Sequence, residues 1–315
     1  MSSPLVVEVL RGADIESRHE VDIVVVDATG RQLWTRGSGG RSVLPRSALK
    51  PVQAAPLVAT GAADRFAATD ERLALACASH GGEPGHVELV GRWLDDLGLD
   101  AGSLACGAHS PSHEPSADAL VAAAIAPTPL HNTCSGKHVG YLSICTHLDI
   151  DPVGYLAPSH RLQADFVTPA IEELCGISLA AAIPGIDGCG IPVWSMPLDR
   201  LAAGWAALGQ TDDGQRILRA MAAEPFMVGG TGRLCTRLME DAGDVVVKSG
   251  AEGVYCGVVI SSGVAVALKA RDGATRASEL AIEWTMAELG ALSAPSPRLL
   301  RNWVGAEVGS IRVVE

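Results

Sequence analysis

Two periodicities divide the chain. Near its start, Leu5–Leu10, Val21–Asp27 and Gln32–Thr35 are short runs rich in β-branched and apolar residues, which predict strands. The Ala28-Thr29-Gly30 step between the last two predicts a hairpin turn. A Gly-rich loop, Gly37–Gly40, follows. From Arg46 the spacing turns helical, with Leu49, Val52, Gln53 and Pro56 recurring at helix-like intervals. Pro51 falls near the start of that helix, where its missing N–H does least harm. Helical spacing then dominates to about position 242, over Asp70–Ala78, Gly85–Leu97, Ser116–Ala126, Gly136–His147, Ser159–Cys175, Leu198–Leu208, Gly214–Ala223 and Thr231–Ala242. Strand patterning returns at Asp244–Lys248, Gly253–Ser261 and Val264–Ala270, followed by a helix over Ser278–Leu289 and a last strand over Gly309–Val314.

Strands at both ends with helices between predict an α/β (α+β) architecture. Residues 1–69 and 243–315 are expected to form one largely antiparallel sheet with packed helices. Residues 70–242 form a mostly helical inserted region, with the active site between the two parts.

Composition narrows the function. Of 315 residues, 48% are hydrophobic and 19% charged, which excludes a disordered chain. Aromatics are only 4% against 35 glycines, so the core must be built from small and β-branched residues. A net charge of −12 without a basic stripe argues against nucleic acid or an acidic membrane surface as partner. The first residues lack the basic and apolar regions of an export signal, and no apolar run reaches bilayer length. A cytoplasmic protein is the expectation. The eight cysteines contain no C-x-x-C pair, so a disulfide framework is not expected.

Several segments carry chemistry. In Arg46-Ser47-Ala48-Leu49-Lys50, Ser and Lys stand three apart at a helix start and share a face. A lysine in an apolar pocket has a lowered pKa and can take the serine proton. This S-x-x-K pattern is the nucleophile–base pair of the penicillin-recognising enzymes; the plain alternative is a capping serine and a surface lysine. Lys248-Ser249-Gly250, at a strand end, resembles the K-T-G box of the same enzymes, or else is a hairpin turn. Ser79-His80-Gly81-Gly82 reads as catalytic or as a helix cap. His131–His138 and Pro184–Gly190 are polar, turn-rich segments with one cysteine each, Cys134 and Cys189. Two thiolates and a nitrogen suit tetrahedral zinc, but the spacing does not establish a metal, and two buried free cysteines are the alternative. The loop Gly107–Pro115 concentrates His, Ser and Pro and reads as a pocket lining or a polar connection.

Taken together, Glu8–Arg11 with Glu16-Ser17, Arg46–Pro51, Ser79–Gly82, Cys134–His138, Asp187–Cys189 and Lys248–Gly253 resemble the L-asparaginase II family, the rhizobial type of asparaginase. The resemblance implies a fold like that of serine β-lactamases and glutaminases. It implies hydrolysis of L-asparagine to L-aspartate and ammonia, and a homodimer. It implies two Ser–Lys pairs, Ser47 with Lys50 and Ser79 with Lys248, and a zinc ion held by Cys134, Lys137 and Cys189. Asp187 would lie near metal and substrate, with Arg46, His80, Gly250 and Ala251 also around the substrate. In this reading Ser47 is the first choice for the nucleophile and Lys50 its base. The Ser47 N–H and the Gly250-Ala251 turn receive the oxyanion, and zinc organises the site without supplying the nucleophile.

The chain departs from the family pattern at Thr133, where a second Asn is expected, and at Ala108 and Ser110. These departures bear on substrate preference more than on the reaction. Rival readings are a glutaminase, one methylene away, a serine hydrolase acting on D-alanyl peptides or β-lactams, and a non-catalytic zinc-binding scaffold. The remaining cysteines, Cys77, Cys106, Cys145, Cys175, Cys235 and Cys256, are expected in the core.

Overall fold

The computed structural model describes residues 2–314. Its centre is an eight-stranded sheet. The strands are β1 (Leu5–Arg11), β2 (Asp14–Val26), β3 (Gln32–Arg36), β4 (Val245–Gly250), β5 (Val254–Val259), β6 (Ala265–Ala270), β7 (Arg298–Arg301) and β8 (Glu307–Val314). Their order is β7-β8-β1-β2-β6-β5-β4, with β3 also paired to β2. All these pairings are antiparallel. The two ends of the chain therefore meet in one sheet, β8 beside β1 and β6 beside β2, as the patterning predicts.

β2 is longer than its apolar run. Asp14–Glu20 is polar and mostly exposed, so periodicity gives no strand there. Pairing with β1, from Leu5↔Val21 to Arg11↔Asp14, holds it in the sheet. β3 takes over the same edge of β2 beyond that point, pairing with Ile23–Val26. β7 escapes sequence reading for a similar reason: four residues, Arg-Leu-Leu-Arg, are shaped by their one neighbour, β8.

The middle of the sheet is dry on both faces. Every residue of Val254–Val259 is buried, because the helices Leu198–Leu208 and Thr275–Glu288 both pack on β2, β5 and β6. The approach at Gly257 is close: a Cβ there would stand 2.5 Å from the flexible end of Met286, 2.9 Å from Val247 Cγ1 and 3.0 Å from the Val246 carbonyl oxygen, so neighbours on both sides would have to shift. The helix Leu198–Leu208 falls in the inserted region by sequence yet lies on the sheet. Conversely, Lys50–Ala59 packs against Ser135–His147, Thr168–Cys175 and Asp212–Ala223. Each part lends a helix to the other across the expected boundary.

The other helices run close to expectation, with ends moved by local chemistry. Asp70–Ala76 is capped by Thr69, whose hydroxyl accepts the Arg72 N–H at 3.4 Å. Glu114–Ala122 starts earlier than expected, behind Pro115, and buries none of its residues. Within the expected Ser159–Cys175 helix, Leu162–Val167 is a π-turn before the α-helix Thr168–Cys175. Among the described residues, no helix is long and apolar enough to cross a membrane. All eight cysteines are free; seven are buried and Cys134 is half-buried.

Candidate active site

The first Ser–Lys box begins at a strained residue. Arg46 has φ +51°, in the left-handed region that non-glycine residues seldom occupy. From it a single 3-10 turn, Arg46–Leu49, runs straight into the helix Lys50–Ala59. The Trp205 indole N–H pins this turn by donating to the Ala48 carbonyl at 3.0 Å. From the other side the end of β4 lies against it. A Cβ on Gly250 would be 2.6 Å from the Pro45 carbonyl oxygen, so only glycine fits. Ser47, Gly250 and the neighbouring exposed Ala251 are thus held together.

Lys50, at the first helical position, is fully buried. Its Nζ donates to the Ala78 carbonyl, to Ser79 Oγ at 2.9 Å and to Cys134 Sγ at 3.2 Å. Three acceptors match the three N–H bonds of an ammonium. None of them is Ser47, whose carbonyl accepts the Lys50 backbone N–H within the turn; no side-chain hydrogen bond joins Ser47 to Lys50 among the described residues. The lysine reaches inward, past its own turn, to the segment that follows the helix Asp70–Ala76.

Lys248, at the end of β4, approaches the same hydroxyl. Its Nζ lies 2.9 Å from Ser79 Oγ and 2.8 Å from the Ser249 carbonyl. Burial, and then the nearby Lys50 charge, push its pKa down to about 7. Ser79 is fixed from behind by its own N–H, which donates to the Val228 carbonyl at 3.0 Å.

His80 is fully buried and neutral, its pKa lowered well below the usual histidine value by burial and by His86. Its Nδ1 accepts the Gly82 N–H at 3.1 Å, so Nε2 carries the proton and donates to Ser135 Oγ at 2.9 Å. The ring also stacks on His86, centroids 4.8 Å apart. With both nitrogens engaged, His80 ties the Ser79 segment to the start of the helix Ser135–His147 and has none left for a substrate.

The two cysteine segments do meet. Asn132 Oδ1 accepts the Cys134 N–H at 2.9 Å where that helix begins. Cys189 lies in the turn between the two-residue strands Gly185–Ile186 and Pro192–Val193. The turn is closed by the Gly190 N–H on the Asp187 carbonyl (2.8 Å), with Gly190 at φ +87°. Lys137 Nζ donates to Cys189 Sγ at 3.3 Å. A hydrogen bond from Cys189 and the Lys50 and Lys137 charges hold the Cys134 thiol well below its usual pKa, while the Cys189 thiol is pushed up. Among the described residues, no group of three or more His, Cys, Asp or Glu is placed to hold a metal ion. The third donor beside these two sulfurs is the Lys137 amine.

Asp187 reaches back to the first box. Its Oδ1 receives Arg46 Nη2 at 2.7 Å, Arg46 Nε at 2.9 Å and the Gly188 N–H at 2.7 Å. Among the described residues these contacts leave Oδ2 free. The loop Val228–Arg233 behind Ser79 carries no chemical motif in the sequence; Thr231–Arg233, expected to begin a helix, belongs to this loop, and the helix starts at Leu234. Tyr155 also stands in no motif; its hydroxyl accepts the Ala105 N–H (3.0 Å) and donates to His138 Nδ1 (2.6 Å).

The geometry agrees with what the chain resembles. The family model of L-asparaginase II matches residues 7–313. A search of curated proteins finds no match. An enzyme of this family is a hydrolase that acts on an amide of a small-molecule substrate. The match runs from β1 to β8 and takes in both Ser–Lys boxes, both cysteine segments and the Arg46–Asp187 pair, so the chain belongs to the L-asparaginase II family.

Proposed function

We propose that the protein hydrolyses L-asparagine to L-aspartate and ammonia through an acyl-enzyme on serine, in a serine β-lactamase-like fold. The observation that carries this is Ser79 Oγ, 2.9 Å from Nζ of both Lys50 and Lys248. With Lys248 neutral, the Ser79 O–H points at its lone pair while Lys50 donates to the same oxygen. Ser79 Oγ attacks the side-chain amide carbon and its proton passes to Lys248 Nζ. The lysine returns that proton to the departing nitrogen as the C–N bond breaks, releasing ammonia. Lys248 then takes a proton from water as that water attacks the aspartyl ester, and returns the proton to Ser79 Oγ as the acyl C–O bond breaks, releasing L-aspartate. A base with pKa about 7 suits both directions of transfer.

The first choice from sequence, attack by Ser47, stays as the second reading. Ser47 follows the strained Arg46 and lies beside Gly250, where its N–H and the Gly250-Ala251 turn are suited to an oxyanion. Ammonia release by S79A and S47A, with mass spectrometry of the trapped aspartyl adduct, separates the two. Near-normal turnover by S79A would move the nucleophile to Ser47. Ammonia release from Asn and Gln and turnover of a β-lactam, side by side on the wild type, separate the rival substrates.

The reading includes a zinc ion on Cys134, Lys137 and Cys189. What supports it is the donor set: two sulfurs and a nitrogen, the N/S ligands zinc takes, gathered with one thiol already biased to thiolate. When bound, the ion supplies a fixed positive charge that orders the site near the substrate's α-amino or carboxylate end. Protein purified without added zinc should carry close to one equivalent. Less than about a tenth, with Cys134 freely alkylated, would count against the site. A homodimer and a cytoplasmic location complete the reading; sizing by light scattering tests the first.

A further inference from the structure

The loop Gly229–Arg233 has no part in the chemistry above, yet it is built against the same serine. Val228 accepts the Ser79 N–H. Glu83, almost fully buried, receives the Thr231 N–H at 2.8 Å and the Thr231 hydroxyl at 2.6 Å. Gly230 has φ +99°, and a Cβ there would be 2.4 Å from Glu83 Oε1 and 3.2 Å from the Gly81 N. The loop is therefore clamped to the Ser79–Glu83 segment. It ends at Arg233, which opens the helix Leu234–Ala242. That helix packs on β4, the strand that carries Lys248. The Arg233 guanidinium is close enough to be among the charges that depress Lys248, and it also acts on Tyr255 of β5.

The cations of the site differ in how they are used. Lys50 is taken by Ala78, Ser79 and Cys134, Lys248 by Ser79 and Ser249, Lys137 by Cys189, and Arg46 by Asp187. Arg233 is exposed, and its side chain makes no hydrogen bond or ion pair among the described residues. Its planar fork matches a carboxylate. In asparagine the side-chain amide carbon and the α-carboxylate carbon are three bonds apart. A substrate whose amide carbon meets Ser79 therefore extends its carboxylate only a few ångströms away. The free Asp187 Oδ2 is the complementary partner for the α-ammonium.

We propose that Arg233 binds the α-carboxylate of the substrate and so restricts the site to free amino-acid amides, excluding asparagine within a peptide chain. The proposal rests on the amide-hydrolase reading above. It is tested on the full chain with R233A and R233K, using L-asparagine and 3-aminopropanamide, which keeps amine and amide but lacks the α-carboxylate. For R233A the ratio of kcat/KM on asparagine to that on 3-aminopropanamide should fall about 30-fold. The loss should appear mainly in KM for asparagine, and R233K should recover part of it. Binding of the product L-aspartate should weaken relative to β-alanine, its analogue without the α-carboxylate. Equal losses on both substrates, or an unchanged KM for asparagine, overturn the assignment. A wild-type protein that releases no ammonia from asparagine overturns the functional reading instead. The L-aspartate and β-alanine affinities of wild type and R233A then decide the Arg233 assignment by themselves.

Discussion

Two regions of the molecule bury charge, and they do so in opposite ways. In the sheet, Asp22 of β2 is fully buried and Glu8 of β1 nearly so. Asp22 meets Arg271 at 2.8 Å, Arg41, and the Ser38 N–H at 2.9 Å. Burial works against its charge, and these hydrogen bonds win, holding its pKa below the usual carboxylate value. Glu8 lies between Arg18 at 2.5 Å and Arg312 at 2.9 Å, whose hydrogen bonds hold it low as well. Around Ser79 the arrangement is reversed, since two buried lysines converge on one hydroxyl. Opposite charges in the sheet quench one another and lock backbone in place. Burial, and then the neighbouring like charge, keep one amine of the site near neutrality.

Breaking each region should therefore show in a different measurement. The largest effect is expected from Lys248→Met and Ser79→Ala, each lowering kcat for ammonia release about 10³-fold or more. Thermal unfolding should barely change for Lys248→Met, because a buried amine beside a like charge contributes little to stability. A large drop in Tm would place Lys248 with the structural charges instead. Asp22→Ala should do the converse and destabilise the fold by about 2 kcal/mol, since it removes the buried acceptor shared by Arg271, Arg41 and the Ser38 N–H. Urea denaturation reads that loss, and turnover per folded molecule should remain.

The comparison sharpens with pH. The neutral form of Lys248 is the base, and its pKa is lowered from the lysine range to about 7. Activity should therefore fall on acidification, about tenfold per pH unit below the pKa, and level off above it. Removing the like charge with Lys50→Met should move the midpoint of the residual activity upward, as seen in a pH–rate profile. An unmoved midpoint would mean that burial alone tunes Lys248. The smallest effect belongs to neither region. Val121 is 79% exposed on a helix that buries none of its residues, so Val121→Ser should shift stability by less than about 0.5 kcal/mol.

Much of this contrast could be read in advance, and part of it could not. The strands β3 to β6 carry their own apolar runs, and the helices their own spacing, so the antiparallel sheet with a helical insertion follows from pattern alone. The polar half of β2 and the whole of β7 do not, because neighbouring strands hold them. Both lysine boxes, Ser79 and the two cysteine segments stand out as motifs. The contacts within them differ from the expected ones, however. His80, expected at the substrate, spends both nitrogens on protein partners. The Lys50 amine, expected on Ser47, donates to Ser79. The loop ending in Arg233 carried no motif at all.

By itself the sequence determined where strands and helices run and which residue types are available for chemistry. Periodicity reports which face of an element is buried, and a short box reports what its backbone can present. Only the tertiary structure decided who meets whom. Lys50 and Ser79 are 29 positions apart, Arg46 and Asp187 are 141 apart, and Lys248 and Ser79 are 169 apart. No local period encodes such partners. They follow from which backbone segments pack together, and from a buried amine seeking every acceptor within reach once water has been excluded.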